Sequence, residues 1–168
     1  VVLGDISGQI GVTRIGRKHM HEMCDRFSAR TVVDAMDAMI EASGAEFRAA
    51  MAAIPDGISE AVGYLDHDGV DVDTKVKLQV RVEVSGGRLH FDFSGCDPQT
   101  AGPVNLRIGM VEAAVYFCMI GMIDPGLRYS DSIRDQVTFT FAEKSVVSAE
   151  PPRPCSSYMK CCLKLCDV

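Results

Sequence analysis

Four aspartates, Asp66, Asp68, Asp71 and Asp73, lie close together in the segment DHDGVDVD. Carboxylates at such spacing are able to coordinate Ca²⁺. The calcium-binding hand, however, closes its loop with a glutamate, and this sequence has Lys77 there. We therefore expect a solvated turn between strands rather than a metal site.

The C-terminal segment carries four of the seven cysteines: Cys155, Cys161, Cys162 and Cys166. Thiolates are zinc ligands, but no C-x-x-C pair occurs, and adjacent cysteines on a helix cannot both face one ion. We interpret these residues as small buried side chains.

The histidines and the other three cysteines give no catalytic pattern. His19 and His21 are two residues apart on a predicted helix, whereas zinc enzymes place two histidines at i and i+4 with an acid between them. Cys24 and Cys118 carry no nucleophile motif, and Cys96 differs only in lying within a glycine-rich loop. The sequence also lacks G-x-S-x-G, G-x-G-x-x-G and phosphate-loop signatures. Spacing alone therefore predicts no catalytic residue and no metal ligand.

Composition limits the classes of partner. The chain has 168 residues, 47% hydrophobic and 24% charged, which is typical of one globular domain. A net charge of -6, with no basic cluster larger than Arg17-Lys18, argues against nucleic acid and anionic membranes. The longest apolar stretch, 108–123, is shorter than the roughly 20 residues that span a bilayer, so we interpret it as a buried helix. The odd number of clustered cysteines favours the reducing cytoplasm.

Apolar periodicity predicts two helices before a β region. Residues 4–27 have helical spacing, although three glycines in the first half weaken it and suggest close packing against another element. A stronger amphipathic pattern covers 32–54 and is preceded by Ser28 and Thr31 as possible helix starts.

The segments KVKLQVRVEV and RLHFDF alternate apolar and polar residues on either side of Gly86-Gly87. Two glycines between such strands predict a tight hairpin that pairs Ser85 with Arg88. The register that follows pairs Val84 with Leu89, Glu83 with His90, Val82 with Phe91 and Arg81 with Asp92. Opposite charges then face each other on the polar side, each such pair contributing ~0.2–1 kcal/mol.

Together these elements predict an α+β fold, in which an antiparallel hairpin or sheet packs against amphipathic and buried helices. ISEAVGYL and QVTFTF are further expected strands, and 106–123 forms the buried helix. A last helix is expected to start at Ser156 or Ser157 and to end without a C-terminal signal. Because the chain also lacks an initiator methionine, we expect 1–168 to be a single partial domain truncated at both ends.

The stretch DFSGCDPQTAGPVN, residues 92–105, connects the hairpin with the buried helix and is called the 92–105 loop. Its glycines permit tight turns, Asp92 is placed to pair with Arg81, and Asn105 is placed to cap the helix. This loop and the segments GDISGQIGVTRIG, IPDGISEAVGYLDHDG and AEPPRPCSSYMKCCLKLCDV resemble the hydantoinase B/oxoprolinase family in order and approximate spacing. The resemblance spans nearly the whole chain, and the loop is its most specific part.

The resemblance implies a segment of an ATP-dependent amidohydrolase that opens a lactam or cyclic imide such as hydantoin, 5-oxoproline or caprolactam. In such enzymes a hydantoinase A-like, ATP-binding subunit or domain phosphorylates the ring oxygen, and the B-type part opens the ring. The complete enzyme is expected to use ATP and a divalent metal. The family's histidine and aspartate ligands match nothing in this chain, so we assign no cofactor to the segment.

Two alternatives remain open. The segment could belong to a related ATP-dependent ketone carboxylase that acts on acetone or acetophenone, or it could be a non-catalytic remnant that only folds or binds a partner subunit. Serine at position 7, where the family commonly has arginine, favours the remnant, because loss of an arginine weakens anion binding. The chain also has Cys96 where serine is common, and Cys155 and Cys166 where the family has apolar residues.

Within the loop, Ser94, Gly95, Gln99 and Asn105 are the candidates for substrate binding or subunit contact. A loop stiffened by proline at the exit of a strand is able to present backbone N–H groups to a substrate oxygen, and functional loops are usually held by rigid scaffolds. The alternative is a purely structural corner between a strand and a helix.

Overall fold

The structure is a computed structural model that describes residues 2–168. Its elements are α1 (Val2–Phe27), α2 (Ala29–Met51), β1 (Gly57–Leu65), β2 (Val76–Ser85), β3 (Arg88–Asp92), α3 (Ile108–Ile123), a 3₁₀ helix (Asp131–Gln136), β4 (Val137–Thr140) and α4 (Tyr158–Cys166). This content confirms the predicted α+β class. The chain divides into two compact units between Ala42 and Ser43, and the expected single partial domain stays a prediction. Among residues 2–168, no helix has both the length and the apolar character needed to cross a membrane.

The first unit contains α1 and most of α2. None of the described side chains of α1 is buried, and an added Cβ at Gly8, Gly11 or Gly16 would meet no described atom within 4 Å. The close packing expected for these glycines is therefore not provided by the described residues. The predicted start of α2 is confirmed, because the Thr31 backbone N–H donates to Ser28 Oγ at 3.2 Å.

The four strands form one sheet in the order β1-β2-β3-β4. The hairpin register is confirmed at all five predicted pairs, from Ser85 opposite Arg88 to Arg81 opposite Asp92. Gly86 and Gly87 adopt φ angles of +55° and +74°, the left-handed conformation that a tight type I′ turn requires. However, β4 runs parallel to β3, so the sheet is mixed rather than antiparallel throughout.

The parallel strand β4 changes the partners of the hairpin's polar face. His90 faces Glu83 in the register but shares hydrogen bonds with the hydroxyl groups of Thr138, at 2.8 Å, and Thr140, at 3.1 Å. Arg81 donates to Glu83 on its own strand at 3.1 Å. The predicted backbone pairs are thus correct. The hydrogen-bond partners on the polar face differ from the predicted charge pairs, although the charge of Arg81 still contributes to lowering the pKa of Asp92. Side chains two residues apart on a strand share a face, and β4 supplies hydroxyl groups that hairpin reasoning does not include.

The core of the second unit lies between the sheet and helices α3 and α4. Its fully buried side chains include Phe47, Met51, Leu78, Phe93, Leu106, Val111, Val146 and Cys161. Helix α3 is less enclosed than predicted, because Phe117 and Met122 are 77% and 85% exposed on the side away from this core. The last helix begins with Ser157 at the N-cap position, as predicted, and buries Cys161 and Leu165.

Candidate functional site

The 92–105 loop begins at the exit of β3. Asp92 Oδ1 accepts a hydrogen bond from the Ser94 backbone N–H at 2.8 Å. Hydrogen bonds from the Ser94 hydroxyl and backbone N–H hold the pKa of Asp92 below its ordinary value. The Phe93 N–H extends the pairing with β4 by donating to the Thr140 carbonyl oxygen at 2.8 Å. Ser94 itself is exposed. Its own N–H bonds to Asp92, and the N–H groups of Phe93 and Cys96 are also hydrogen-bonded, so the backbone is held before and after it.

The next two residues pack against β2. Cys96 Sγ accepts from the Gln79 N–H and donates to the Gln79 carbonyl oxygen, both at 3.3 Å. Burial raises the pKa of the Cys96 thiol, and its hydrogen bonds make it part of the packing between the loop and β2. A Cβ at Gly95 would lie 2.7 Å from Gln79 Cδ, so a larger residue here would have to displace the end of the Gln79 side chain.

The middle of the loop is tied to strand β2 and to the chain after β4. Asp97 Oδ2 accepts from the Lys77 N–H at 2.7 Å, and the Asp97 N–H donates to the Lys77 carbonyl oxygen at 3.1 Å. The Gln99 N–H donates to the Lys144 carbonyl oxygen at 2.7 Å. Gln99 Oε1 accepts from the Glu150 N–H at 2.9 Å. The side chain of this candidate residue thus holds the loop in place.

Asn105 is fully buried and closes the end of the loop. Its Oδ1 accepts from the Thr100 N–H at 2.8 Å, and its Nδ2 donates to the carbonyl oxygens of Gly102, at 2.8 Å, Pro154, at 2.9 Å, and Thr100, at 3.1 Å. The predicted helix cap is wrong, because α3 begins only at Ile108 and the amide is already used within the loop.

Asp68 is a structural residue that sequence reasoning missed. It is 6% exposed, in contrast to the solvated turn that we expected, and its Oδ1 accepts from the N–H groups of Val70 and Asp71 at 2.8 Å. Its Oδ2 accepts from the Gly102 N–H, also at 2.8 Å. The N–H groups of Val70 and Asp71, followed by that of Gly102, hold the pKa of Asp68 below its ordinary value. The Asp-Gly dipeptide was the available signal, since aspartate often binds the backbone two residues ahead in such turns.

The segment does not supply a metal centre within the part of the chain that the structure describes. No three carboxylate, imidazole or thiol groups there come together in a way that could hold an ion. The residues present thus do not fit the divalent metal that the resemblance implies for the complete enzyme.

The four candidate residues divide by whether their side chains are used in hydrogen bonds that hold the loop. Ser94 is exposed and Gly95 has no side chain, whereas the side-chain oxygens of Gln99 and Asn105 accept backbone hydrogen bonds from Glu150 and Thr100. The loop therefore presents one hydroxyl group beside the Asp92 carboxylate on a backbone that is held at many points. Such an arrangement can bind a polar group of a ligand or of another protein without first becoming ordered.

The model of the hydantoinase B/oxoprolinase family matches residues 1–168. The chain belongs to the hydantoinase B/oxoprolinase family. Within it, the chain is 33% identical over 124 residues to a Pseudomonas sp. (strain NS671) protein that is named as a putative B-type subunit of a D-/L-hydantoinase. Those residues are 71% of this chain and 21% of that protein.

Solved structures show the same fold. The crystal structure of ATP-dependent caprolactamase from Pseudomonas jessenii matches 98% of this chain and 28% of its own chain, with a TM-score of 0.84 and 20% identity. A nucleotide-free structure of acetone carboxylase matches 84% of this chain and 20% of its own, with a TM-score of 0.74 and 15% identity. This member of the hydantoinase B/oxoprolinase family spans 21–26% of the length of the curated relatives that it matches.

Proposed function

We propose that this chain is a segment of the B-type subunit of an enzyme that hydrolyses cyclic amides in an ATP-dependent reaction. The observation that carries this proposal is the 33% identity to a protein named as a B-type hydantoinase subunit, together with a family match over residues 1–168. The likeness to acetone carboxylase is at 15% identity and concerns the fold, so it does not favour the ketone carboxylase alternative.

The chemistry explains why such an enzyme would need ATP and a partner. The carbonyl carbon of an amide is a poor electrophile, and phosphorylation of its oxygen turns that oxygen into a leaving group. We infer that an ATP-binding, hydantoinase A-like partner performs the phosphorylation and that the B-type subunit takes part in ring opening. A relative that is 21% identical is named as the beta subunit of caprolactamase, which is in keeping with this division of labour.

Within that enzyme, we assign the contact with substrate or partner subunit to Ser94 and Gly95. Ser94 is exposed, and its neighbours fix the backbone around it. Gln99 and Asn105 would contribute indirectly, by holding the loop through Glu150 and Pro154. The two pairs of residues therefore have different expected effects when they are changed.

The test uses the full-length protein purified together with its ATP-binding partner. Hydantoin, 5-oxoproline and caprolactam are each incubated with and without ATP, and ring-opened product and ADP are measured. We expect ring opening of at least one substrate that requires ATP and forms ADP in step with product. Consumption of a ketone that depends on bicarbonate would support the carboxylase instead, and absence of turnover with every substrate would support the non-catalytic remnant.

A further inference from the structure

A cavity of about 460 Å³ lies at the turn of the β2–β3 hairpin. Its wall combines three parts of the second unit: the end of α2, the turn at Gly86-Gly87, and Gln136 at the end of the 3₁₀ helix. An added Cβ at Gly87 would lie 4.0 Å from the Ala52 nitrogen, so the turn and the end of α2 are in contact. No residue of the 92–105 loop lines this cavity, which is therefore separate from the function proposed above.

Gln136 contributes a buried amide to the cavity wall. The residue is 8% exposed, and its Nε2 atom has no hydrogen-bond partner within the part of the chain that the structure describes. A buried donor without a partner costs about 1–3 kcal/mol, and such groups in native proteins call for an explanation. An acceptor atom of a ligand bound in the adjoining cavity would remove this cost.

Two arginines supply further donors to the same wall. Arg48 lies in the last turn of α2, and Arg88 is the first residue of β3. Arg88 and Gln136 immediately precede the first residue pair of the parallel β3–β4 register and therefore lie side by side. Neither guanidinium group forms a hydrogen bond or an ion pair with a described residue of the second unit.

The charges of the wall favour an anion. Its one carboxylate, Asp56, is partly used, because Oδ1 accepts a hydrogen bond from the Gly86 N–H at 2.9 Å. Two guanidinium groups and one carboxylate leave a net charge of +1, which matches a ligand with a single negative charge. A guanidinium group presents paired N–H donors that fit the two oxygens of a carboxylate, and these oxygens have room for a further donor such as Gln136 Nε2.

We propose that Arg48, Arg88 and Gln136 form a binding site for the carboxylate of a small organic acid with a short aliphatic chain. The two guanidinium groups hold the carboxylate, and Gln136 Nε2 donates to one of its oxygens. The apolar side chains of Ala52 and Ile54 line the same cavity and contact the aliphatic chain.

The test measures binding to the full-length protein by isothermal titration calorimetry at constant ionic strength. The probes are hexanoate and hexanamide, which have the same chain length and differ in the charge of the head group. We expect saturable binding of hexanoate and at least tenfold weaker binding of hexanamide. Arg88→Gln should weaken hexanoate binding about tenfold or more. Arg153→Gln is the matched control, because it removes the same charge outside the cavity, and should leave the affinity unchanged.

Gln136→Leu distinguishes a ligand-binding amide from a structural one. Leucine has a similar size and no unpaired donor, so the free variant should melt at the same temperature or higher. It should nevertheless bind hexanoate about tenfold more weakly. A lower melting temperature with unchanged affinity would contradict the role of Gln136.

Three other results would overturn the proposal. These are the absence of saturable hexanoate binding, equal affinity for hexanamide, and an equal loss of affinity in Arg88→Gln and Arg153→Gln. Weaker association of Arg88→Gln with the ATP-binding partner, without binding of free hexanoate, would assign the carboxylate to that partner and would also overturn the proposal.

Discussion

Asn105 Nδ2 donates a hydrogen bond to the carbonyl oxygen of Pro154 at 2.9 Å, across 49 positions of sequence. The same buried amide also binds Thr100 and Gly102, so one side chain links this turn of the loop to the distant segment that contains Pro154. The conformation of the 92–105 loop therefore depends on residues that lie well outside it.

Replacement of Asn105 by aspartate should loosen this part of the loop. Nδ2 faces three carbonyl oxygens, and a carboxylate oxygen in its place cannot donate to any of them. We expect a loss of about 3 kcal/mol in the free energy of local opening. Hydrogen exchange of the peptide that covers 100–105 measures this loss, with Gln9→Glu on the exposed face of α1 as the matched control. Unchanged exchange in the Asn105→Asp protein would contradict the structural role.

Asp68→Asn removes one of the acceptors that hold the turn before β2. An amide nitrogen must then face either the Gly102 N–H or the N–H groups of Val70 and Asp71, so at least one donor loses its partner. The expected cost is about 1–3 kcal/mol of local stability. Asp66→Asn, an exposed neighbour in the same turn, should leave exchange of Gly102 unchanged. Equal effects of the two substitutions would contradict the role of Asp68.

The Asp68 contact should also depend on pH. The pKa of Asp68 is lowered in the folded protein by its backbone hydrogen bonds, relative to an ordinary value of 3.8. Its contribution to stability is therefore complete above the ordinary pKa and is lost as the pH falls through the lower, folded pKa. Exchange rates corrected for their intrinsic pH dependence should show loss of Gly102 protection below about pH 4. In Asp68→Asn, this acid-dependent step should be absent.

Gly102→Ala should be poorly tolerated. A Cβ at this position would overlap the backbone carbonyl oxygen of Asp68, which cannot move without breaking the turn. We expect a loss of about 3 kcal/mol. Gly109→Ala in α3, where an added Cβ meets no described atom within 4 Å, should instead be neutral or stabilising by up to about 1 kcal/mol. Thermal unfolding of both variants compares the two positions, and similar melting temperatures would contradict this account.

Ser94→Ala separates ligand contact from loop architecture. The hydroxyl group is exposed, so its removal should leave the exchange protection of 100–105 unchanged. If the loop contacts substrate or partner as proposed, ATP-dependent ring opening by the full-length enzyme should fall about tenfold or more, as expected for one lost polar contact of about 1.4 kcal/mol. Gln99→Leu should instead increase exchange around Glu150, whose N–H binds Gln99 Oε1. Full activity of Ser94→Ala would remove Ser94 from the site.

The structural features that are best predicted from the sequence are those determined by residues close together in the chain. Two glycines and strict alternation over adjacent strands specify the hairpin register, since a shift of one residue would place the apolar face in water. The parallel pairing of β4 with β3 joins Leu89 to Val137, and nothing local to either strand encodes it. Hairpin reasoning consequently assigns Glu83 to His90, although the two threonines of β4 bind that imidazole.

In the 92–105 loop, too, the features that nearby residues determine could be predicted and those that depend on remote residues could not. Its position between a strand and a helix, and its need for glycine, are evident from residue types. The role of Asn105 is not, because its partner Pro154 is remote in sequence, and a polar residue near a helix start resembles a cap. Asp68 is hidden among three exposed aspartates, and only its contact with Gly102 distinguishes it.

The contacts that hold the 92–105 loop also set an order for its biosynthesis. The β2–β3 hairpin needs only the chain up to Asp92, and hairpins of this kind close within microseconds. Asn105, by contrast, obtains all of its hydrogen-bond partners only after Pro154 has left the ribosome. During translation the residues of the hairpin are therefore complete while the loop still lacks Pro154, and a ribosome stalled before residue 154 would hold that loop without its native anchor.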